Sequence, residues 1–276
     1  MRKTLISSMA LLVATSALAQ VRTPRVSPSA TLTQTVGLTD ITIKYSRPGV
    51  KGRTIWGDLV PYDKVWRTGA NEATTISFSD DVMIEGQKLP KGTYSLHTIP
   101  GRDKWTVIYN SVADQWGSYS YTADKDVLRV QVTPMTAEHR EWMQFEIPEM
   151  TTDTAKVVLR WANVAVPFTV DTQSTARTIA SLRNAMNPDW RTPYMAASFA
   201  FENKGAASDA DMNAWLDQSL KVNQNIANLW LKARIAERAG NKAEAIRYGE
   251  MAIAAATPQQ ADFAAEVRRN VDNWKK

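Results

Sequence analysis

Hydrophobic and polar residues alternate with a period of two between about residues 31 and 171. In residues 41–45, for example, Thr42 and Lys44 separate three apolar or aromatic side chains. Such alternation is typical of β-strands that bury one face. It predicts about ten short strands, at residues 32–36, 41–45, 76–78, 82–84, 94–96, 105–109, 128–132, 143–147, 157–161 and 164–170. The turn residues between them indicate an antiparallel β-sandwich domain over residues 31–171.

The period changes to 3.6 residues after residue 171, which indicates amphipathic helices. Helices are predicted at residues 174–186, 193–203, 209–222, 226–239, 242–256 and 259–274, with Ser208 as one N-cap. As a whole, the chain is predicted to be α+β. An all-β antiparallel sandwich is followed by an all-α domain of helical hairpins over residues 172–276.

The fourth and fifth predicted helices form a hairpin, residues 226–258, that resembles a tetratricopeptide repeat. Its turn reads Ala-Gly-Asn-Lys, and small residues lie where the helices approach each other, at Ala233, Ala236, Ala245 and Ala252. The sequence has one convincing copy, whereas a solenoid needs about three repeats to bury its faces. A peptide-binding groove built from repeats is therefore not predicted.

The first nineteen residues are typical of a signal peptide. Arg2 and Lys3 form a positive start, residues 5–14 are mostly apolar, and a small-x-small signal ends at Ala19. The sequence predicts cleavage between Ala19 and Gln20, secretion across the inner membrane and a periplasmic location. Residues 20–30 are predicted to be an extended linker. Because no later segment reaches about 18 apolar residues, no transmembrane segment is expected.

Composition argues against several classes of function. The formal net charge is +5, and the basic residues are spread along the chain, so nucleic-acid binding is not expected. The chain has no Cys, which excludes disulfides and thiolate metal sites. The two His residues are far apart and lack a second ligand at metal-binding spacing. Neither a metal nor another cofactor is predicted.

One long segment, residues 46–73, has little periodicity and is too long for a hairpin turn. It contains two Trp, a Tyr and several charged residues. Segments of this length in compact domains are usually functional or packed as an Ω-like structure. We expect it to be ordered against the sheet.

This segment and the strands after it contain long, specific strings. They read Tyr-Ser-Arg-Pro at 45–48, Val-Lys-Gly-Arg-Thr-Ile-Trp-Gly at 50–57, Val-Trp-Arg-Thr-Gly-Ala-Asn-Glu-Ala-Thr at 65–74, Gly-Thr-Tyr-Ser-Leu at 92–96 and Gln-Trp-Gly-Ser-Tyr at 115–119. With them, residues 27–171 resemble family 2911 of the domains of unknown function, secreted proteins of Gram-negative bacteria. The resemblance implies no activity. His97 departs from it, because an aromatic residue such as Phe is expected there, and this disfavours a catalytic role for His97.

Eight residues are candidates for ligand binding: Arg47, Arg53, Trp56, Trp66, Arg67, Asn71, Glu72 and Trp116. Flat indoles beside polar groups suit a sugar ring, and a guanidinium fork suits a carboxylate or phosphate. For both groups a structural role is favoured over ligand binding: the Trp side chains fix the segment to the sheet, and the Arg side chains form a network with carboxylates. If Arg67 is part of a buried network, its replacement by Ala is expected to cost about 2–4 kcal/mol.

Three functions fit these residues. The favoured one is a non-enzymatic binding or envelope-assembly module that takes a small polar ligand, a glycan or another envelope protein at segment 46–73 and Trp116. Its helical tail packs on the β-domain or contacts a partner such as an envelope protein. The second is a hydrolase of envelope carbohydrates or esters with Glu72 as acid or base, which needs a further carboxylate such as Asp58, Asp63 or Asp114 at about 5–10 Å. The third is a scaffold that presents the helical tail to a protein partner.

Overall fold

The computed structural model describes residues 23–186 and 189–276. It contains two antiparallel sheets in the N-terminal part, ten strands in all, and six α-helices in the C-terminal part of these described ranges. The predicted α+β class is confirmed. The predicted signal peptide, the cleavage site between Ala19 and Gln20 and the first linker residues lie outside the described residues. Residues 23–28 of the linker form neither helix nor strand.

The strands form one six-stranded and one four-stranded sheet. The larger sheet has the order β1-β2-β3-β6-β7-β8 and the smaller one β5-β4-β10-β9. The strands are Ser29–Val36 (β1), Thr39–Ser46 (β2), Thr75–Phe78 (β3), Val82–Ile84 (β4), Gln87–Leu89 (β5), Gly92–Ile99 (β6), Trp105–Asn110 (β7), Asp126–Val132 (β8), Met135–Met150 (β9) and Thr154–Asp171 (β10).

The two sheets share one hydrophobic core. Ile43 of β2 and Leu96 of β6 lie in it with Leu159 and Trp161 of β10, and all four are almost completely buried. Alternation produces this arrangement, because successive side chains of a strand point to opposite faces. Burial of each such side chain contributes about 1.5–3 kcal/mol. Without disulfides, packing holds the sandwich together.

Two strand predictions need correction. Residues 157–161 and 164–170 were predicted as separate strands but belong to the single strand β10, which pairs with β9 through several register shifts. Ala162 has a left-handed φ of 49° at one of them. A bulge of this kind adds a residue and resets the alternation, so it looks like a turn in the sequence. The short strand β5 was not predicted.

The segment 46–73 is ordered against the sandwich, as predicted. Its first part pairs with the outer edge of β9, where the Val50 amide donates to the Glu141 carbonyl at 2.8 Å and the Met143 amide to the Pro48 carbonyl at 3.0 Å. This contact covers part of an edge that would otherwise be open to pairing. Further along, Trp66 exchanges two backbone hydrogen bonds with residue 98 of β6, at 2.8 and 2.9 Å.

The helices are Ser174–Asn184 (α1), Arg191–Glu202 (α2), Asp209–Val222 (α3), Ile226–Arg238 (α4), Lys242–Ala254 (α5) and Ala261–Lys275 (α6). Ser208 caps α3 as predicted, since its side chain accepts a hydrogen bond from the Asp211 amide. The small residues of the α4–α5 hairpin are buried. The tetratricopeptide resemblance stays a prediction. None of the described helices is long and apolar enough to cross a membrane.

The helical tail is attached to the sandwich through the start of α1. The Ser174 hydroxyl accepts a hydrogen bond from the Leu38 amide at 2.9 Å, and Arg177 pairs with Asp80 at 2.5 Å. Gly37 permits the approach, because a Cβ atom there would lie 2.1 Å from the Ser174 hydroxyl oxygen. Its φ of 57° also favours glycine.

Candidate functional site

Two of the candidate arginines hold the segment 46–73 in place. The Arg47 Nε donates to the Met143 carbonyl of β9 at 2.8 Å. Arg53 donates to the carbonyls of Val50 and Gly49, at 3.1 and 2.6 Å. Neither side chain forms an ion pair within the described residues, so the predicted network of these arginines with carboxylates is wrong. Their partners are backbone carbonyls and, for Arg47, also the side-chain oxygen of Gln144 at 3.2 Å, and these hydrogen bonds stabilise the loop conformation.

Trp56 and Trp66 lie in an aromatic cluster with Trp105 and Trp161. Trp56 contacts the other three rings edge to face, with centroids 4.9–5.7 Å apart, and Trp66 stacks on Trp161 at 5.8 Å. The Trp66 indole N–H donates to the Gly69 carbonyl at 3.1 Å, whereas that of Trp56 is buried without an acceptor among the described residues. With these contacts, both candidates pack against the core and present little surface to a sugar.

Glu72 is engaged by a residue that the sequence did not single out. Its carboxylate pairs with Arg25 at 2.8 Å, and both side chains are about half-exposed. A hydrogen bond from its own backbone amide is the largest influence on the pKa of Glu72 and lowers it; burial opposes this effect, and the contact with Arg25 lowers the pKa further. The pair borders a cavity of about 290 Å³ whose lining includes Lys44 and Tyr45. Glu72 is therefore ionised near neutral pH.

The geometry does not favour Glu72 as a hydrolase acid. A general acid needs a raised pKa, and the pKa of Glu72 is lowered. The cavity beside it is lined by basic and uncharged side chains, and Asp58, Asp63 and Asp114 are not part of that lining. Most glycosidases need two carboxylates about 5–10 Å apart.

Asn71 connects three parts of the chain. Its side-chain amide donates to the Ser27 carbonyl at 3.1 Å and to the Ser46 hydroxyl at 3.3 Å. Its backbone carbonyl accepts a hydrogen bond from the Gly117 amide at 3.2 Å. It has a left-handed φ of 59°, which Asn tolerates better than most residues. Asn71 therefore positions the segment next to residues 115–117.

These two segments meet beside β6 of the larger sheet. The Ala73 amide donates to the Gln115 carbonyl at 3.0 Å, beside an isolated bridge between Glu72 and Trp116. The Gln115 side chain donates to the Ser95 hydroxyl of β6 at 3.1 Å. Backbone and side-chain bonds thus fix residues 115–117 to the sandwich.

Three side chains at or beside residues 115–117 form what we call the aromatic surface: Arg67, Trp116 and Tyr119. Trp116 is 60% exposed and Tyr119 is 86% exposed. Gly117 lies between them with a φ of 66°, and a Cβ atom there would lie 3.2 Å from the Tyr119 ring and 3.8 Å from the Arg67 Nη1. Without a side chain at Gly117, the phenol ring of Tyr119 and the Arg67 guanidinium can both lie against this residue.

A buried polar side chain, that of His97, lies next to residues 115–117. His97 of β6 is completely buried, its ring is 5.0 Å from that of Tyr121, and neither ring nitrogen has a hydrogen-bond partner of good geometry among the described residues. Burial lowers the pKa of His97, and the nearby Gly117 carbonyl and the charge of Asp126 oppose this only in part. His97 is therefore neutral at physiological pH.

Tyr121, next to His97, forms a hydrogen-bonded cluster with Asp126 and Arg129. Its hydroxyl donates to Asp126 at 2.7 Å and accepts from Arg129 at 2.7 Å, and Asp126 also pairs with Arg129 at 2.6 Å. Burial and the contact with Asp126 raise the pKa of Tyr121 to about 12. Its proton is held at neutral pH, and the group stabilises residues 121–129.

Of the candidate set, the structure brings Arg67 and Trp116 to the same surface. Trp56 and Trp66 pack against the core, and Arg47 and Arg53 hold segment 46–73 in place through hydrogen bonds. Sequence reasoning missed Tyr119, although it lies in the Gln-Trp-Gly-Ser-Tyr string. Nothing in the residue pattern distinguishes an exposed Tyr from a buried one. Within residues 23–186 and 189–276, no cluster of three potential metal ligands occurs.

Comparison with known proteins identifies the β-sandwich part of the chain. No curated protein and no solved structure gives a significant match. A family model described as "Protein of unknown function (DUF2911)" matches residues 27–170, which is more than half of the chain. The chain therefore belongs to this family of unknown function, as its strings at residues 45–119 had indicated.

Proposed function

We propose that this protein is a non-enzymatic binding module of the bacterial periplasm that takes a small polar ligand or glycan at the aromatic surface. The observation that carries the proposal is the exposure of Trp116 and Tyr119 on a segment that is otherwise fixed to the sheet. Large aromatic side chains are mostly buried in folded proteins, and one that is held in solvent is available to stack on a sugar ring.

The fixed geometry favours binding. Residues 115–117 are held by hydrogen bonds to Asn71 and Ala73, and a surface already ordered before binding loses less conformational entropy when a ligand arrives. The lowered pKa of Glu72 and its ion pair with Arg25 argue for binding over hydrolysis. The envelope-protein contact through the helical tail belongs to the same proposal.

A thermal-shift screen of the mature chain against envelope sugars and peptidoglycan fragments tests the binding site. A ligand at one hundred times its dissociation constant adds about 2.7 kcal/mol of stability, which moves the melting midpoint measurably. We expect the double variant Trp116→Ala with Tyr119→Ala to lose the shift and to keep the melting midpoint of the free protein. The matched control is Trp142→Ala, which removes a half-exposed indole from β9 and is expected to retain the shift.

The same screen separates the three functions. A shift retained by the double variant would move the site away from the aromatic surface. The scaffold function predicts no response of either protein to any sugar. Release of a product from a responding sugar, abolished in Glu72→Gln, would support the hydrolase instead.

Export is proposed from the first nineteen residues and has its own test. After expression in a Gram-negative host, we expect the protein in the periplasmic fraction with Gln20 as its first residue, because the signal ends at Ala19. Intact-mass measurement of that fraction gives the result. An uncleaved chain confined to the cytoplasm would contradict the proposed location.

A further inference from the structure

Arg67 is the charged member of the aromatic surface, and its charge is not neutralised by a neighbour. No ion pair involving Arg67 occurs in the part of the chain that the structure describes, and its Nε is buried without a hydrogen-bond acceptor there. Two of the acidic residues in the surrounding segments are already paired. Glu72 binds Arg25, and Asp126 binds Arg129.

An unpaired guanidinium in a half-buried position requires an explanation. Charged groups removed from water are normally paired, because desolvation without a partner costs free energy. The planar fork of Arg is suited to a carboxylate, which it binds through two parallel hydrogen bonds. The Arg67 guanidinium and the ring of Tyr119 both lie close to Gly117, the residue that follows Trp116. A stacked ligand would therefore come within reach of it.

We infer that the ligand of the aromatic surface is an acidic sugar, whose carboxylate binds Arg67 while its ring stacks on Trp116 or Tyr119. This inference rests on the proposed binding function and specifies the ligand class. A carboxylate is favoured over a phosphate monoester because the surface offers one cation. A phosphate monoester carries a charge of about −1.5 to −2 at neutral pH and would need a second cation.

Calorimetric titration of the full mature chain with matched sugars tests this. The probes are four-residue oligomers of glucuronate, galacturonate and mannuronate, each compared with its neutral hexose counterpart, and glucose 6-phosphate. We expect at least one acidic oligomer to bind about tenfold or more tightly than its neutral counterpart, a difference of about 1.4 kcal/mol. The difference should shrink as salt is added, because screening weakens the interaction of exposed charges.

Variants assign the preference to Arg67. Arg67→Gln is expected to abolish the difference between acidic and neutral oligomers and to leave the melting midpoint unchanged, since no ion pair is lost. Arg67→Lys should keep part of the preference, and it provides a charge-retaining variant if Arg67→Gln fails to fold. The control Arg269→Gln removes the same charge from an exposed position of α6 and is expected to keep the full preference.

The outcomes distinguish this inference from the proposed function. Equal binding of acidic and neutral oligomers, or a preference that survives in Arg67→Gln, overturns the role of Arg67 and leaves the binding function standing. Tighter binding of the sugar phosphate overturns the carboxylate assignment. If no sugar binds, both the proposed function and this inference fail.

Discussion

Replacing Trp66 with alanine is expected to lower the free energy of unfolding by about 3–5 kcal/mol, the cost typical of removing a large aromatic side chain from a core. Trp66 is only 9% exposed, and its ring stacks on Trp161 and contacts Trp56. The change also removes the indole donor to the Gly69 carbonyl. Chemical denaturation of the full chain, followed by circular dichroism, measures the loss.

Trp116→Ala is the matched control for this prediction. It removes the same side chain from a position that is 60% exposed, and surface substitutions usually change stability by less than about 0.5 kcal/mol. The contrast between the two variants tests whether segment 46–73 is attached through its buried indoles. Similar losses in both variants would contradict the division into packing and surface tryptophans.

The second large effect is expected from His97→Phe, which should stabilise the protein by about 1–3 kcal/mol by removing two buried nitrogens that lack a hydrogen-bond partner of good geometry among the described residues. The gain should be larger at pH 5.5 than at pH 8. Burial lowers the pKa of His97 in the folded protein below its ordinary value of 6.5, so the unfolded chain binds the proton more readily. As the pH falls through 6.5, the wild-type protein therefore loses stability that the Phe variant keeps.

The groups that face His97 set the size of this effect. The Gly117 and Ser95 carbonyls and the charge of Asp126 favour the protonated ring, while burial disfavours it more strongly. The chain has one other histidine, His139, which is exposed, and His139→Gln serves as the control. A stability difference between His97→Phe and wild type that is the same at both pH values would show that His97 is not held neutral by burial.

Much of the fold could be predicted because two-residue alternation and helical periodicity report directly on burial. The strands β2, β6 and β7 and all six described helices follow from these patterns. The failures have local causes. The shifts in register within β10 interrupt the alternation, and β5, with the sequence Gln-Lys-Leu, has only one apolar residue and shows no alternation.

The candidate site was harder to predict because its contacts join residues far apart in the chain. Arg25 and Glu72 are 47 residues apart, and Arg47 binds a carbonyl 96 residues away. Residue type indicates which side chains can bind a ligand but not which of them packing removes from the surface. Trp66 and Trp116, for example, are both tryptophans outside the predicted strands, but the first is buried in the structure and the second is exposed.

Whether a ligand binds at the aromatic surface can be measured directly through the indole resonances of the tryptophans. The chain has ten tryptophans, and each indole N–H gives its own signal in a ¹H–¹⁵N spectrum of the full mature chain. On addition of a sugar that gives a thermal shift, we predict that the Trp116 signal moves while those of the buried Trp66, Trp105 and Trp161 remain in place. A Trp116 signal that stays fixed at saturating sugar would contradict ligand binding at the aromatic surface.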